Sequence, residues 1–129
     1  MIRIATAALL AGLALAATPA FAEDYGPMTV QKTKLGPVLA DAKGMTLYTF
    51  DKDQKGKSSC SGQCAEYWPP AMAAMDAKPV GDLTLVKRDD GSLQWADEGQ
   101  PLYTFVKDKA PGDVAGDGFK GVWHVVKEQ

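Results

Sequence analysis

The residues able to do chemistry in this chain are few, and several of them recur at fixed spacing. Cys60 and Cys64 are its two cysteines and His124 its single histidine. A C-x-x-x-C pair can close as a disulfide, exchange thiols or take up a soft metal. The C-x-x-C spacing of thiol oxidoreductases is absent, so a bridge fastening the surrounding segment is the leading reading. Tyr48, Phe50 and Asp53 form a triplet repeated at Tyr103, Phe105 and Asp108, and each triplet is followed by a tryptophan, Trp68 or Trp123. Six large aromatic groups could make a ligand platform. In a small domain the same groups are needed for the core, and the core reading carries more weight. Asp53 and Asp108 fall where strands end, and there a carboxylate can accept N–H groups of the following turn.

Other chemistries lack their residues. The sequence has no G-x-S-x-G, no H-E-x-x-H and no phosphate-cradling loop, and a lone histidine supplies neither a histidine metal centre nor an acid-base pair. A non-enzymatic protein is expected. The loops Asp51–Gly56 and Asp113–Gly118 have the acidic, glycine-bearing look of calcium loops. The first places Lys55 where an oxygen ligand is required and has no glutamate at its twelfth position. The second offers only two carboxylates, so neither is expected to hold calcium.

The oxidation state of the cysteines depends on the compartment, and the N-terminus speaks to that. Arg3 precedes an apolar run from Ile4 to Ala17, followed by Ala20-Phe21-Ala22 and then Glu23 and Asp24. This is the pattern of a secretory signal peptide over 1–22, with cleavage expected after Ala22. An oxidising compartment favours a Cys60–Cys64 disulfide. Glu23, not cysteine, follows the expected cleavage point, so a soluble periplasmic or secreted protein without a lipid anchor or membrane span is expected. Of the 14 basic and 16 acidic residues, only Arg3 lies in the leader, so the mature chain carries a net charge of about −3 with no basic block. Nucleic acid is therefore a poor partner, and an envelope protein or a small ligand is the expected one.

An internal duplication must position these groups. At an offset of 55 residues, Gly44–Asp53 matches Gly99–Asp108 at seven of ten positions, and Trp68 falls on Trp123 without a gap. In both copies Tyr-Thr-Phe alternates as a strand does, with Tyr and Phe on one face. Val38–Ala40 and Ser92–Trp95 read as preceding strands, turned through Asp41–Gly44 and Ala96–Gly99. Leu83–Lys87 and Val122–Val126 read as further strands, giving an antiparallel meander. Ser58–Met75, with both cysteines, and Ala110–Gly121 read as loops or short helical turns. Ala71–Ala77 has helical propensity but is too short to stand alone. The expected architecture is mainly β: a small antiparallel sandwich or barrel made of two tandem hairpin-containing repeats, with a disulfide-pinned insert. An extension over 23–34 precedes repeats at about 35–79 and 80–129.

With these motifs in hand, the chain resembles the bacterial secreted-repeat, lipoprotein-type family with a Y-x-[FWY]-x-x-D motif. Tyr48-Thr49-Phe50-Asp51-Lys52-Asp53 and Tyr103-Thr104-Phe105-Val106-Lys107-Asp108 both fit. The resemblance implies export and duplication, and no reaction or ligand. The cysteine pair is also similar to the ligand set of copper-delivering Sco-type proteins. That likeness implies copper held by Cys60, Cys64 and His124, with Met72 and Met75 as soft auxiliaries. It lacks the thioredoxin-like βαβ setting of those proteins. A binding or envelope-associated role without a cofactor is the first expectation, and a copper-binding or redox accessory is the alternative.

Overall fold

The computed structural model describes residues 25–128, and the leader read over 1–22 lies outside them. The strands in chain order are β1 (Thr29–Thr33), β2 (Gly36–Ala40), β3 (Tyr48–Phe50), β4 (Met72–Ala73), β5 (Leu83–Lys87), β6 (Leu93–Asp97), β7 (Gln100–Pro101) and β8 (Trp123–Val125). One helical turn, α1 (Gln63–Tyr67), precedes β4, and a 3₁₀ turn at Phe119–Gly121 precedes β8. All the pairings between these strands are antiparallel.

The two copies superimpose strand on strand. Thr29 pairs with Ala40 in the β1–β2 hairpin, as Thr84 pairs with Ala96 in β5–β6. The turn between β5 and β6 is one residue longer than its counterpart, and the turn after β6 is one residue shorter, so the offset of 55 is restored by Leu102. β1 lies within 23–34, where an extension ahead of the repeats is expected from sequence. Thr29-Val30-Gln31-Lys32-Thr33 shows no apolar alternation because neither face of this edge strand is buried.

The copies do not stand side by side as a meander, because they exchange their last strands. β8, at the end of the second copy, pairs with β3 of the first, and Lys127 bridges Val38. Reciprocally, Pro70 of the first copy bridges Tyr103, and β4 pairs with β6 of the second. β4 also corrects the helical tendency of Ala71–Ala77: the backbone bonds offered by β6 outweigh a weak local propensity. Each half closes through a ring of three backbone bonds. Leu39 N–H donates to Val126 O, Val126 N–H to Leu47 O and Leu47 N–H to Leu39 O, at 2.8, 3.3 and 3.0 Å. Trp95, Ala71 and Leu102 repeat the ring at 2.8, 2.9 and 3.0 Å.

Between the rings, Tyr48 and Tyr103 exchange both backbone bonds, at 2.8 and 3.0 Å, and so mark a pseudo-two-fold axis. Two cores result, and each draws on both copies. One is aliphatic, around Leu39, Leu47, Leu83, Leu102 and Trp95, and the other is aromatic, around Tyr48, Trp68, Tyr103, Phe105 and Trp123.

Candidate functional site: a cleft over a four-ring stack

The repeated triplet is used across the axis. Tyr48 Oη donates to Asp108 Oδ2 at 2.7 Å, and Tyr103 Oη donates to Asp53 Oδ2 at 2.6 Å. Each aspartate uses its other oxygen on the turn that follows it: Asp53 Oδ1 accepts Ser59 N–H and Oγ–H, and Asp108 Oδ1 accepts Ala115 N–H. The strand-end aspartates therefore do take turn N–H groups, and in addition each ties its turn to the other copy's tyrosine. Burial, and then the neighbouring carboxylate, push both phenols well above the ordinary tyrosine range. Burial also raises the Asp108 carboxyl, against the opposing bonds from Tyr48 and Ala115.

The remaining aromatics pile face to face in the order Phe50, Trp123, Trp68, Phe105. Their centroids are 4.2, 3.8 and 4.0 Å apart, with interplanar angles of 11°, 1° and 15°. Tyr48 and Tyr103 abut the two indoles edge-on at 5.3 and 5.2 Å. Edge-to-face and stacked contacts each add about 0.5–1.5 kcal/mol beyond burial. Gly116 lets the backbone reach the stack, since a Cβ there would stand 2.6 Å from Trp68 Cη2.

The stack is core, and one side of it floors an open cleft of about 510 Å³. Both copies contribute to this cleft, whose lining includes Trp68 and its counterpart Trp123, and Cys64 and its counterpart Phe119. The walls differ between copies. Tyr67, half exposed, faces the cleft where the second copy has Val122, and Lys120 stands where the first has Ala65. Lys107 completes the rim. Lys120 has a left-handed backbone, φ 51°, unusual for a residue with a side chain, and its Nζ lies 5.8 Å from the Phe119 ring centroid.

The predicted cysteine pair is joined as the Cys60–Cys64 disulfide. It spans the start of α1, with Cys60 buried in the aromatic core and Cys64 on the cleft wall. His124 sits on β8 beside the buried Trp123, and its Nε2 meets Asp51 Oδ2 at 2.8 Å on the surface. Met72, on β4, and Met75 are exposed. Among the described residues, the group of three or more His, Cys, Asp and Glu ligand atoms lying within 4.8 Å of one another is Asp82, Asp97 and Glu98, which includes neither cysteine nor His124. The carboxylates of the two acidic loops are engaged by protein donors: Asp53 as above, Asp113 with the N–H groups of Lys109 and Ala110, and Asp117 with Val125 N–H. No helix of the described residues is long and apolar enough to cross a membrane.

Tyr67, Lys107, Phe119 and Lys120 did not emerge as candidates from the sequence. For Tyr67, Phe119 and Lys120 the signal that could have found them is the mismatch between copies at the 55-residue offset, where Cys64 opposes Phe119, Ala65 opposes Lys120 and Tyr67 opposes Val122; Lys107 matches Lys52 and carries no such signal.

An intertwined pair of β repeats, locked by tyrosine–aspartate bonds, is the class of protein that this geometry defines. The chain belongs to the Lipoprotein_15 family, a secreted repeat of unknown function, whose model matches it twice, over 29–72 and 84–127. The match places β1 and β5 at the start of the two repeat units. No curated protein and no solved structure matches the chain.

Proposed function

We propose that this is an exported, soluble periplasmic binding protein without enzymatic activity, and that it takes a small ligand in the cleft over the four-ring stack. The observation that carries this reading is the asymmetry of the cleft. The stacked aromatics, the locking tyrosines and their aspartates, which hold the fold, are the same residue in both copies. On the cleft wall the copies diverge to tyrosine, lysine, phenylalanine and a disulfide. A volume of about 510 Å³ lies within the range of small-molecule sites. The reactive groups of the repeat motif are engaged in bonds of the protein's own, which leaves recognition as the work of the cleft.

Native mass spectrometry of protein recovered gently from the periplasm tests this. The expected species starts at Glu23, is two mass units light for one disulfide, and carries or takes up a small organic molecule. A reduced chain carrying copper would overturn the reading and make Cys60, Cys64 and His124, with Met72 and Met75, the site.

A further inference from the structure

Building on the cleft reading, we infer that the cleft selects flat, apolar molecules that carry an anionic group such as a carboxylate. The floor and one wall are rings: Trp68, Trp123, Phe105, Phe119 and Tyr67. A planar body covers such a surface with the largest contact area and the least loss of rotational freedom. The charged groups of the lining, Lys107 and Lys120, are both cationic, and no carboxylate belongs to the lining.

Neither ammonium has an ion pair among the described residues, where the salt bridge joins His124 and Asp51. Two exposed lysines elsewhere donate to backbone carbonyls, Lys109 to Val106 O and Lys127 to Leu35 O. Among the described residues, Lys107 and Lys120 have no such hydrogen bond. The Lys120 ammonium meets instead the face of Phe119, a contact that a carboxylate can join from the solvent side without displacing it. Lys120 takes a left-handed backbone at the rim, between Gly118 and Gly121 at φ 78° and 75°. Two like charges beside a low-dielectric aromatic wall favour an anion, and the preference weakens as salt screens it.

The test compares 2-naphthoate with its uncharged analogue 2-naphthamide, following the indole N–H signals of Trp68 and Trp123 by NMR. At low salt the expected result is at least tenfold tighter binding of 2-naphthoate. That preference should shrink in high salt and vanish in Lys107→Gln/Lys120→Gln, a variant confined to exposed side chains. Equal affinity of the two probes for the wild-type cleft would overturn the anion assignment and leave the cleft reading standing. A preference that persists in the double variant would overturn the role of the lysines. If neither probe moves the indole signals, both the assignment and the cleft reading fail.

Discussion

Tyr48 of the first copy donates its hydroxyl to Asp108 of the second at 2.7 Å, and the same bond is made in reverse by Tyr103 and Asp53 at 2.6 Å. The repeated motif is therefore a lock between copies more than a property of either one. Asp108 and Asp53 are nearly enclosed, and hydrogen bonds to charged groups are worth about 1.5–3 kcal/mol. Tyr48→Phe should lose about that much stability in denaturant melts, and so should Tyr103→Phe. In a double-mutant cycle Tyr48→Phe and Asp108→Ala, which removes the acceptor, should couple by about 1 kcal/mol or more. Strict additivity would show that the bond contributes nothing.

The same enclosure governs the alkaline limb. A phenol whose folded pKa is raised keeps its proton longer in the folded state than in the unfolded one. Stability is then full below the unfolded value of about 10 and is lost as pH rises above it. Tyrosinate absorbance at Tyr48 and Tyr103, isolated by difference against the two Phe variants, should appear together with unfolding. Ionisation of either in a still-folded protein would contradict the burial argument.

Asp97 gives a prediction of the opposite practical use. Its carboxyl is raised by burial, then by Glu98 and Asp82 beside it, so ionising it costs the folded state. That cost is absent below the unfolded carboxylate value of about 3.9 and enters as pH rises from there through the raised folded value. Asp97→Asn should melt higher than the wild type at pH 7, with the gain disappearing near pH 3. An unchanged difference across that range would place the effect elsewhere.

Much of this was legible in sequence, and the limit has a physical reason. Matching Tyr48-Thr49-Phe50 to Tyr103-Thr104-Phe105 found the duplication, and alternation placed the strands, because these depend on local pattern. Strand exchange was not legible. Trp123–Val125 satisfies the same alternation whether it pairs with its own copy or the other, and only the path of the connecting chain decides. β1 escaped because an edge strand exposed on both faces has no hydrophobic period to read. The cleft escaped because Tyr67, Lys107 and Lys120 are far apart in sequence and of types common on any surface.

Reducing the disulfide should loosen the cleft wall before it loosens the fold. Cys60 and Cys64 enclose a short loop, for which chain-entropy arguments give about 2 kcal/mol. α1 has no buried residue of its own and no side-chain cap. Amide exchange of Gln63–Tyr67 should therefore accelerate in Cys60→Ser/Cys64→Ser while β3 and β8 stay protected. Equal acceleration in the strands would mean that the bridge holds the whole domain.

Strand exchange predicts that neither copy is a folding unit. Cut near Lys78, the first fragment keeps β1 to β4 but loses β8, which puts Trp123 against Phe50, and the Val126 that follows it and closes the ring of Leu39 and Leu47. The second keeps β8 but loses Ala71, which closes the ring of Trp95 and Leu102, and loses Trp68 from Phe105. Each fragment also leaves a buried tyrosine without its aspartate partner. Each alone should give the circular dichroism of an unfolded chain. An equimolar mixture should recover the strand signal and the near-ultraviolet signature of the stacked indoles, with a midpoint that rises with concentration as a bimolecular assembly requires. Independent folding of either fragment would mean that its last strand can return to its own copy, and the exchange would then be one of two closures of nearly equal energy.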